Sequence, residues 1–266
     1  MTAQQLLESA KPQEALEALQ EEIRQQPGNA SLRIDLFQLL AVSGQWDRAI
    51  AQVQTAVSLD RRFAPLAVLL RSLVELEQVR AAVFSGRREP QVFGPTPAWM
   101  KTLLANRWTA TATSFKAVAK AYDEALKEAP ARSGKVDGRS FGWLADADAR
   151  FGPSIELYLQ GNYYWVPLEC VDRLQFDTPR DLQDLVWLRV KVTWTNGGTV
   201  LGHVPARYPG TERSSNPQLA LARSAEWEEI GSSALIGTGV RVFSTDDGDF
   251  LVTKIREINF SKGKQA

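Results

Sequence analysis

The chain has 266 residues, 44% of them hydrophobic, and its 31 basic side chains balance 31 acidic ones. That apolar content supports a packed core and excludes general disorder. The charge balance leaves no global field to attract nucleic acid or anionic lipid, so neither is an expected partner.

Met1 to Ala10 has neither the basic start nor the apolar stretch of a secretory signal. No apolar run approaches the ~20 residues needed to cross a bilayer. A soluble, cytoplasmic chain with no membrane contact is expected.

Two segments then align at an offset of 34 residues. Ala15, Leu16, Leu19, Ile23 and Pro27 correspond to Ala49, Ile50, Val53, Val57 and Arg61. The match continues, with Ala30, Leu32 and Leu36 corresponding to Ala64, Leu66 and Leu70. A helix-turn-helix period of this length is that of tetratricopeptide repeats. Leu32, Leu36, Leu39 and Leu40 give one helix its apolar face, and Gly44 ends it. Ser31 is its expected cap, and Pro65 suits the first turn of a later helix. Ala49 and Ala56 are small enough for paired helices to approach closely. Leu66 to Val83 reads as a core helix, because Arg71, Glu75, Glu77 and Arg80 interrupt it.

Ser85 to Pro97 is rich in Gly and Pro and is expected to be a loop. A degenerate third pair follows. Ala98 to Asn106 is its first helix, and Phe115, Val118, Ala119, Tyr122 and Leu126 form the stripe of its second. Trp99 and Trp143 are expected to pack between the two halves.

After about residue 130 the pattern changes to short alternating segments. Ile155–Leu159 and Tyr163–Pro167 flank a Gly161-Asn162 turn. Leu188–Trp194 and Thr199–Val204 flank Asn196-Gly197-Gly198. Val240–Phe243 and Phe250 onward flank Asp246 to Asp249. Each reads as a hairpin. One helix, capped by Asn216 and begun by Pro217, is expected to run to about Glu229. The expected fold is α+β. Residues 1–130 form a tetratricopeptide-like helical domain, and residues 131–266 form a β-rich domain, either a small barrel or a twisted antiparallel sheet.

Candidate sites are few. Cys170 is the only cysteine, which excludes an intrachain disulfide and indicates a reducing compartment. His203 is the only histidine, which excludes multi-histidine metal sites; within Val200–Val204 it reads as an ordinary strand residue. Asp146, Asp148 and Arg150 invite a metal or acid–base assignment, but Asp-x-Asp alone is weak. A structural ion-pair network or an interface suits them better, with Arg150, Arg173 and Arg180 as partners. The aromatic block Tyr163, Tyr164, Trp165 suits either a core or a binding hot spot. The candidate interface residues are therefore Tyr163, Tyr164, Trp165, Asp146, Asp148 and Arg150. No cofactor, metal or catalytic residue is assigned.

Several longer motifs resemble a known family. Phe141-Gly-Trp-Leu-Ala-Asp-Ala-Asp-Ala-Arg-Phe-Gly-Pro153 and Gly161-Asn-Tyr-Tyr-Trp-Val-Pro-Leu-Glu169 resemble signatures of the ImpE/SciE (TagJ) family. So do Pro179-Arg-Asp-Leu-Gln-Asp-Leu-Val-Trp187, Ala206-Arg-Tyr-Pro-Gly210 and Glu226-Trp227. The resemblance implies a non-enzymatic accessory protein of the bacterial type VI secretion system. It also implies binding to the N-terminal helix of the small contractile-sheath subunit, which places the protein indirectly near the AAA+ ATPase that recycles the sheath. A repeat groove suits an amphipathic helix as ligand. The rival readings are a metal-dependent hydrolase built on Asp146, Asp148 and Glu169, and a purely structural scaffold subunit.

Overall fold

Apolar residues at helical spacing fold the start of the chain into five helices: α1 (Ala3–Glu8), α2 (Pro12–Gln25), α3 (Ala30–Val42), α4 (Trp46–Leu59) and α5 (Ala64–Phe84). The structure, a computed structural model, describes residues 1–105, 115–230 and 234–261. The 34-residue register is realised in three dimensions. Ala15 of α2 and Ala49 of α4 hold equivalent places and are fully buried, as is Ala56. Asn29, rather than Ser31, caps α3, its side chain accepting from the Ser31 N–H at 3.1 Å. Gly44 ends the same helix at φ 65°; a Cβ there would also meet the Glu212 side chain at 2.6 Å.

The expected loop after α5 carries one short strand, β1 (Gln91–Val92), and Phe93 beyond it stacks on Trp194 with ring centroids 4.2 Å apart. Helices α6 (Ala98–Ala105) and α7 (Phe115–Glu128) follow. Asn106, the expected end of α6, lies outside the described residues, and so does the side chain of Phe115.

The remaining strands are β2 (Gly134–Val136), β3 (Arg139–Phe141), β4 (Leu144–Asp146), β5 (Ser154–Leu159), β6 (Asn162–Pro167), β7 (Val171–Phe176), β8 (Trp187–Trp194) and β9 (Thr199–Pro205). After them come helix α8 (Pro217–Ala220) and strands β10 (Ala225–Ile230), β11 (Ala234–Gly239), β12 (Val242–Thr245), β13 (Gly248–Leu251) and β14 (Glu257–Phe260). Nine strands form one sheet in the order β1-β6-β5-β9-β8-β7-β14-β2-β3, antiparallel except where β1 joins β6. A three-stranded sheet β13-β12-β4 and the ribbon β10-β11 complete the half. The large sheet is open, so the small-barrel alternative gives way to the twisted antiparallel sheet.

All three expected hairpins form. The β5–β6 turn is shifted by one residue: Gln160 and Gly161 take positive φ, 49° and 78°, and Asn162 already pairs with Leu159. The expected helix over 217–229 is not observed. It stops after Ala220, Ala222 takes a left-handed φ of 51°, and residues 225–230 extend to pair six for six with β11. Glu226, Glu228 and Glu229 favour helix locally, but ladder pairing and the packing of Trp227 against Tyr208 outweigh that preference.

The large sheet is covered on both faces. Aromatic residues Tyr158, Tyr163, Trp165 and Trp187 join the helices in one hydrophobic cluster. Ile155, Leu157, Val166 and Val190 face a second cluster shared with Leu144, Phe243 and Val252. Strand β5 is therefore buried along its whole length. Trp99 packs in the first cluster as expected, whereas Trp143, in the turn between β3 and β4, is 42% exposed and does not.

Because Ala49 is fully buried where α4 meets its neighbours, Ala49→Leu should overpack that contact and cost about 1–3 kcal/mol. Urea denaturation measures it; an unchanged midpoint would refute the assigned helix face.

Candidate functional site

Two features stand out, one inside the molecule and one on its surface. The inner one is a network of buried charges where α5 crosses the large sheet. Arg80 lies on the sheet-facing side of α5, among Leu73, Leu76 and Val83. Its Nε and Nη2 donate to the two carboxylate oxygens of Glu156 on β5, both at 2.8 Å, and Nη2 also reaches the Arg207 carbonyl at 2.9 Å. Arg241 approaches Glu156 from the other side and bridges to Asp146. Tyr163 donates its hydroxyl to Glu156, and the indole of Trp165 donates to Tyr163 at 2.6 Å. One turn before Arg80, Glu77 accepts from Tyr158 at 2.8 Å and from the indole of Trp187 at 3.0 Å.

The Asp-x-Asp motif belongs to this interior. Asp146 accepts from Tyr208 at 2.8 Å and from the Asp148 N–H at 2.9 Å. Asp148 binds Arg150 in a fork and takes the Gly237 N–H at 2.8 Å. Arg207 donates to the carbonyls of Val42 and Ala220, joining the end of α3 to α8. Every charge in the network thus has partners, as burial demands.

Burial and partners set the ionisation here. Burial would raise the Glu156 carboxyl, but Arg80 and Arg241 overcome it and hold it at about 2. For Asp146 burial wins over Arg241 and pushes the carboxyl up to about 7. On β9, burial and the nearby Arg189 lower His203 to about 4.

Five of the six candidate interface residues, Tyr163, Trp165, Asp146, Asp148 and Arg150, are buried and cannot meet a partner at the surface. Tyr164 is only half-buried, and Phe93 packs edge-on against its ring. The structure does bring Asp146, Asp148, Arg150, Tyr163 and Trp165 together, as internal ties. Their key arginine partners are Arg150 and Arg241; Arg173 instead contacts Glu257 and Asn259. Among the described residues, no group of three or more His, Cys, Asp or Glu is placed to hold a metal ion. Glu169 lines a separate recess with Trp99 and Arg132, so the hydrolase reading gains no support. Glu156 was missed because it sits in an alternating strand where a solvent-facing residue is the simplest reading. Arg80 did carry a signal: an arginine inside an apolar helical stripe requires a buried acid.

The surface feature is a groove of about 470 Å³ between α4 and α5, lined by Val57, Ala64, Ala67, Val68, Arg71, Ser72 and Glu75. Its floor is apolar and its rim carries one charge of each sign. Val68 is 73% exposed, and Leu59 and Leu69 add exposed apolar surface on the same two helices. Apolar surface of this kind is what a further helix of a repeat stack would cover.

A family model described as "ImpE protein" matches residues 138–259, and a tetratricopeptide repeat model matches residues 6–73. The type VI secretion system accessory component TagJ of Pseudomonas aeruginosa is 38% identical over 260 residues, covering 98% of this chain and 91% of that protein. A crystal structure of a Vibrio parahaemolyticus protein superposes with a TM-score of 0.87 at 25% identity, covering 98% of both chains.

Glu156→Ala would leave Arg80 and Arg241 buried without their shared carboxylate, and should cost about 3–5 kcal/mol in chemical denaturation. A loss below about 1 kcal/mol would mean the ion pairs contribute little.

The pH dependence is also specified. The raised Asp146 lets the folded state bind a proton that the unfolded chain does not, so its contribution to stability grows as pH falls from about 7 to about 4. The lowered His203 acts oppositely: the unfolded chain binds the extra proton, so stability is lost as pH falls from about 6.5 to about 4. Asp146→Asn should unmask the histidine slope and His203→Gln the aspartate slope, each up to about 1.4 kcal/mol per pH unit. Identical profiles for the two variants would contradict this assignment.

Proposed function

The chain belongs to the ImpE family, with the type VI secretion accessory component TagJ among its relatives, and we propose that it serves that system as a non-enzymatic adaptor. The groove between α4 and α5 is its binding site, and an amphipathic helix is the ligand. The partner implied by the family resemblance is the N-terminal helix of the small contractile-sheath subunit. Holding that helix would mark the sheath for the recycling AAA+ ATPase without requiring contact between the adaptor and the ATPase.

The observation that carries this reading is the exposed apolar floor around Val68. A helix laid there buries apolar residues spaced three and four apart, the usual recognition mode for such grooves. Arg71 and Glu75 lie one turn apart on the rim and would favour a ligand with opposite charges at matching spacing. Among the described residues no helix is long and apolar enough to cross a membrane.

The test is titration of the intact chain with a peptide carrying the sheath subunit's N-terminal helix, at low and high salt. Binding should persist at high salt, since apolar contacts dominate. Val68→Asp should weaken it about ten-fold or more, and so should a peptide with its apolar anchors changed to Asp. Unchanged binding by Val68→Asp would place the helix elsewhere. Failure of the unaltered chain to bind the intact sheath complex would refute the partner.

A further inference from the structure

Among the described residues, strand β10 is an unpaired sheet edge with unusual properties. It pairs with β11 on one side only, through six consecutive residues without a bulge. The ribbon's other edge, β11, is equally long but its outer side is bonded to Ala149, Asp148 and Tyr208, and the edges of the other two sheets are shorter: β1 has two residues, β3 and β4 three each, and β13 four. Short edges protect against strand addition; a longer regular one invites it.

The register shows which main-chain groups have no ladder partner among the described residues. Val240 donates to the Ser224 carbonyl at 3.0 Å, which makes 224 and 240 a hydrogen-bonded pair. By alternation, 226, 228 and 230 also bond toward β11, while Ala225, Trp227 and Glu229 aim their N–H and C=O groups outward. The opposite side of β11 confirms the phase. There the Leu235 carbonyl accepts from Ala149, the Gly237 N–H goes to Asp148, and the Gly239 carbonyl accepts from Tyr208.

Side chains set the sign of the ligand. Glu226, Trp227, Glu228 and Glu229 are all exposed. Asn216 donates to Glu226 at 2.9 Å, and no basic side chain among the described residues pairs with any of the three glutamates. Trp227 is 37% exposed but held in place: its ring meets Tyr208 edge-on at 5.5 Å and lies over Gly237, where a Cβ would come within 2.9 Å of it. A fixed, exposed indole that shares its face with Glu229, with no basic side chain among the described residues paired to that carboxylate, suits a cation by charge and by contact with the ring face.

We propose that β10 binds an extended basic segment of a partner protein by strand addition. The segment's main chain pairs with Ala225, Trp227 and Glu229. A Lys or Arg directly across from Trp227 lies over the indole, on the face that Trp227 shares with Glu229, and the residues on either side of it meet Glu226 and Glu228 on the opposite face. This surface is separate from the α4–α5 groove and does not depend on it.

The experiment uses the full chain and a fluorescent peptide of alternating Lys, Val and Thr, read by anisotropy at low salt. A second peptide has the same sequence with alternate backbone nitrogens methylated, which keeps the charge but removes ladder donors. The unmodified peptide should bind. The methylated peptide should bind about ten-fold more weakly or worse. Glu228→Lys/Glu229→Lys should lose the unmodified peptide while keeping its thermal unfolding midpoint. Equal binding of both peptides would reduce the effect to charge alone and overturn the proposal. So would absence of binding to the unaltered chain, above all if the double variant then self-associates, since the glutamates would be only a guard on the edge.

Discussion

One carboxylate, Glu156, anchors the architecture. It is fully buried on β5, an inner strand of the large sheet, and Arg80 from the helices and Arg241 from the β half both close on it. A buried carboxylate is tolerable only with such partners, and each arginine is tolerable only with the carboxylate. The constraint is mutual, so the position of α5 on the sheet is specified by charge as well as by apolar packing. Glu77 adds a second tie one turn earlier, through Tyr158 and Trp187. Trp187 continues outward, its ring near those of Phe37 and Trp46, so the line of contact runs from the sheet into α3 and α4.

This arrangement divides the labour of α5 between its faces. The side carrying Glu77 and Arg80 is consumed in holding the sheet. The side carrying Val68, Arg71 and Glu75 is left for solvent or ligand. A short repeat stack is weakly stable alone, because each repeat buries its apolar face only against neighbours. Here the sheet takes the place of the missing repeats on one side and leaves the other open. The groove is thus displayed on a rigid support, which limits the ordering cost of binding.

The helical half was legible in the sequence because its signals are local and periodic. The offset of 34 residues, the apolar stripes and small Ala49 and Ala56 all specify contacts between adjacent elements. The hairpins were legible for the same reason, from alternation and turn residues. The interior network was only half legible. Asp146, Asp148 and Arg150 pointed to ion pairing, and two of these pair locally. Arg241, Glu156 and Arg80 lie 76 or more residues from at least one partner, and no sequence period encodes such a meeting. The segment 217–229 misled because its glutamates favour helix, whereas pairing with β11 is decided in three dimensions. The aromatic block left core and binding surface as equal readings, because a strand's alternation does not say what covers each face: in β6, Tyr163 and Trp165 face the helices, while Tyr164 stays half-buried on the other side.

The repeat helices and the sheet form one cooperative unit, fixed through α5. Native-state hydrogen exchange in increasing denaturant tests it most directly, since it resolves the opening free energy of each segment. The slowest amides of α3, α4 and α5 and those of β5, β8 and β9 should converge on a single global opening. Helices that exchange through a separate opening at markedly lower free energy, while the sheet stays closed, would contradict it.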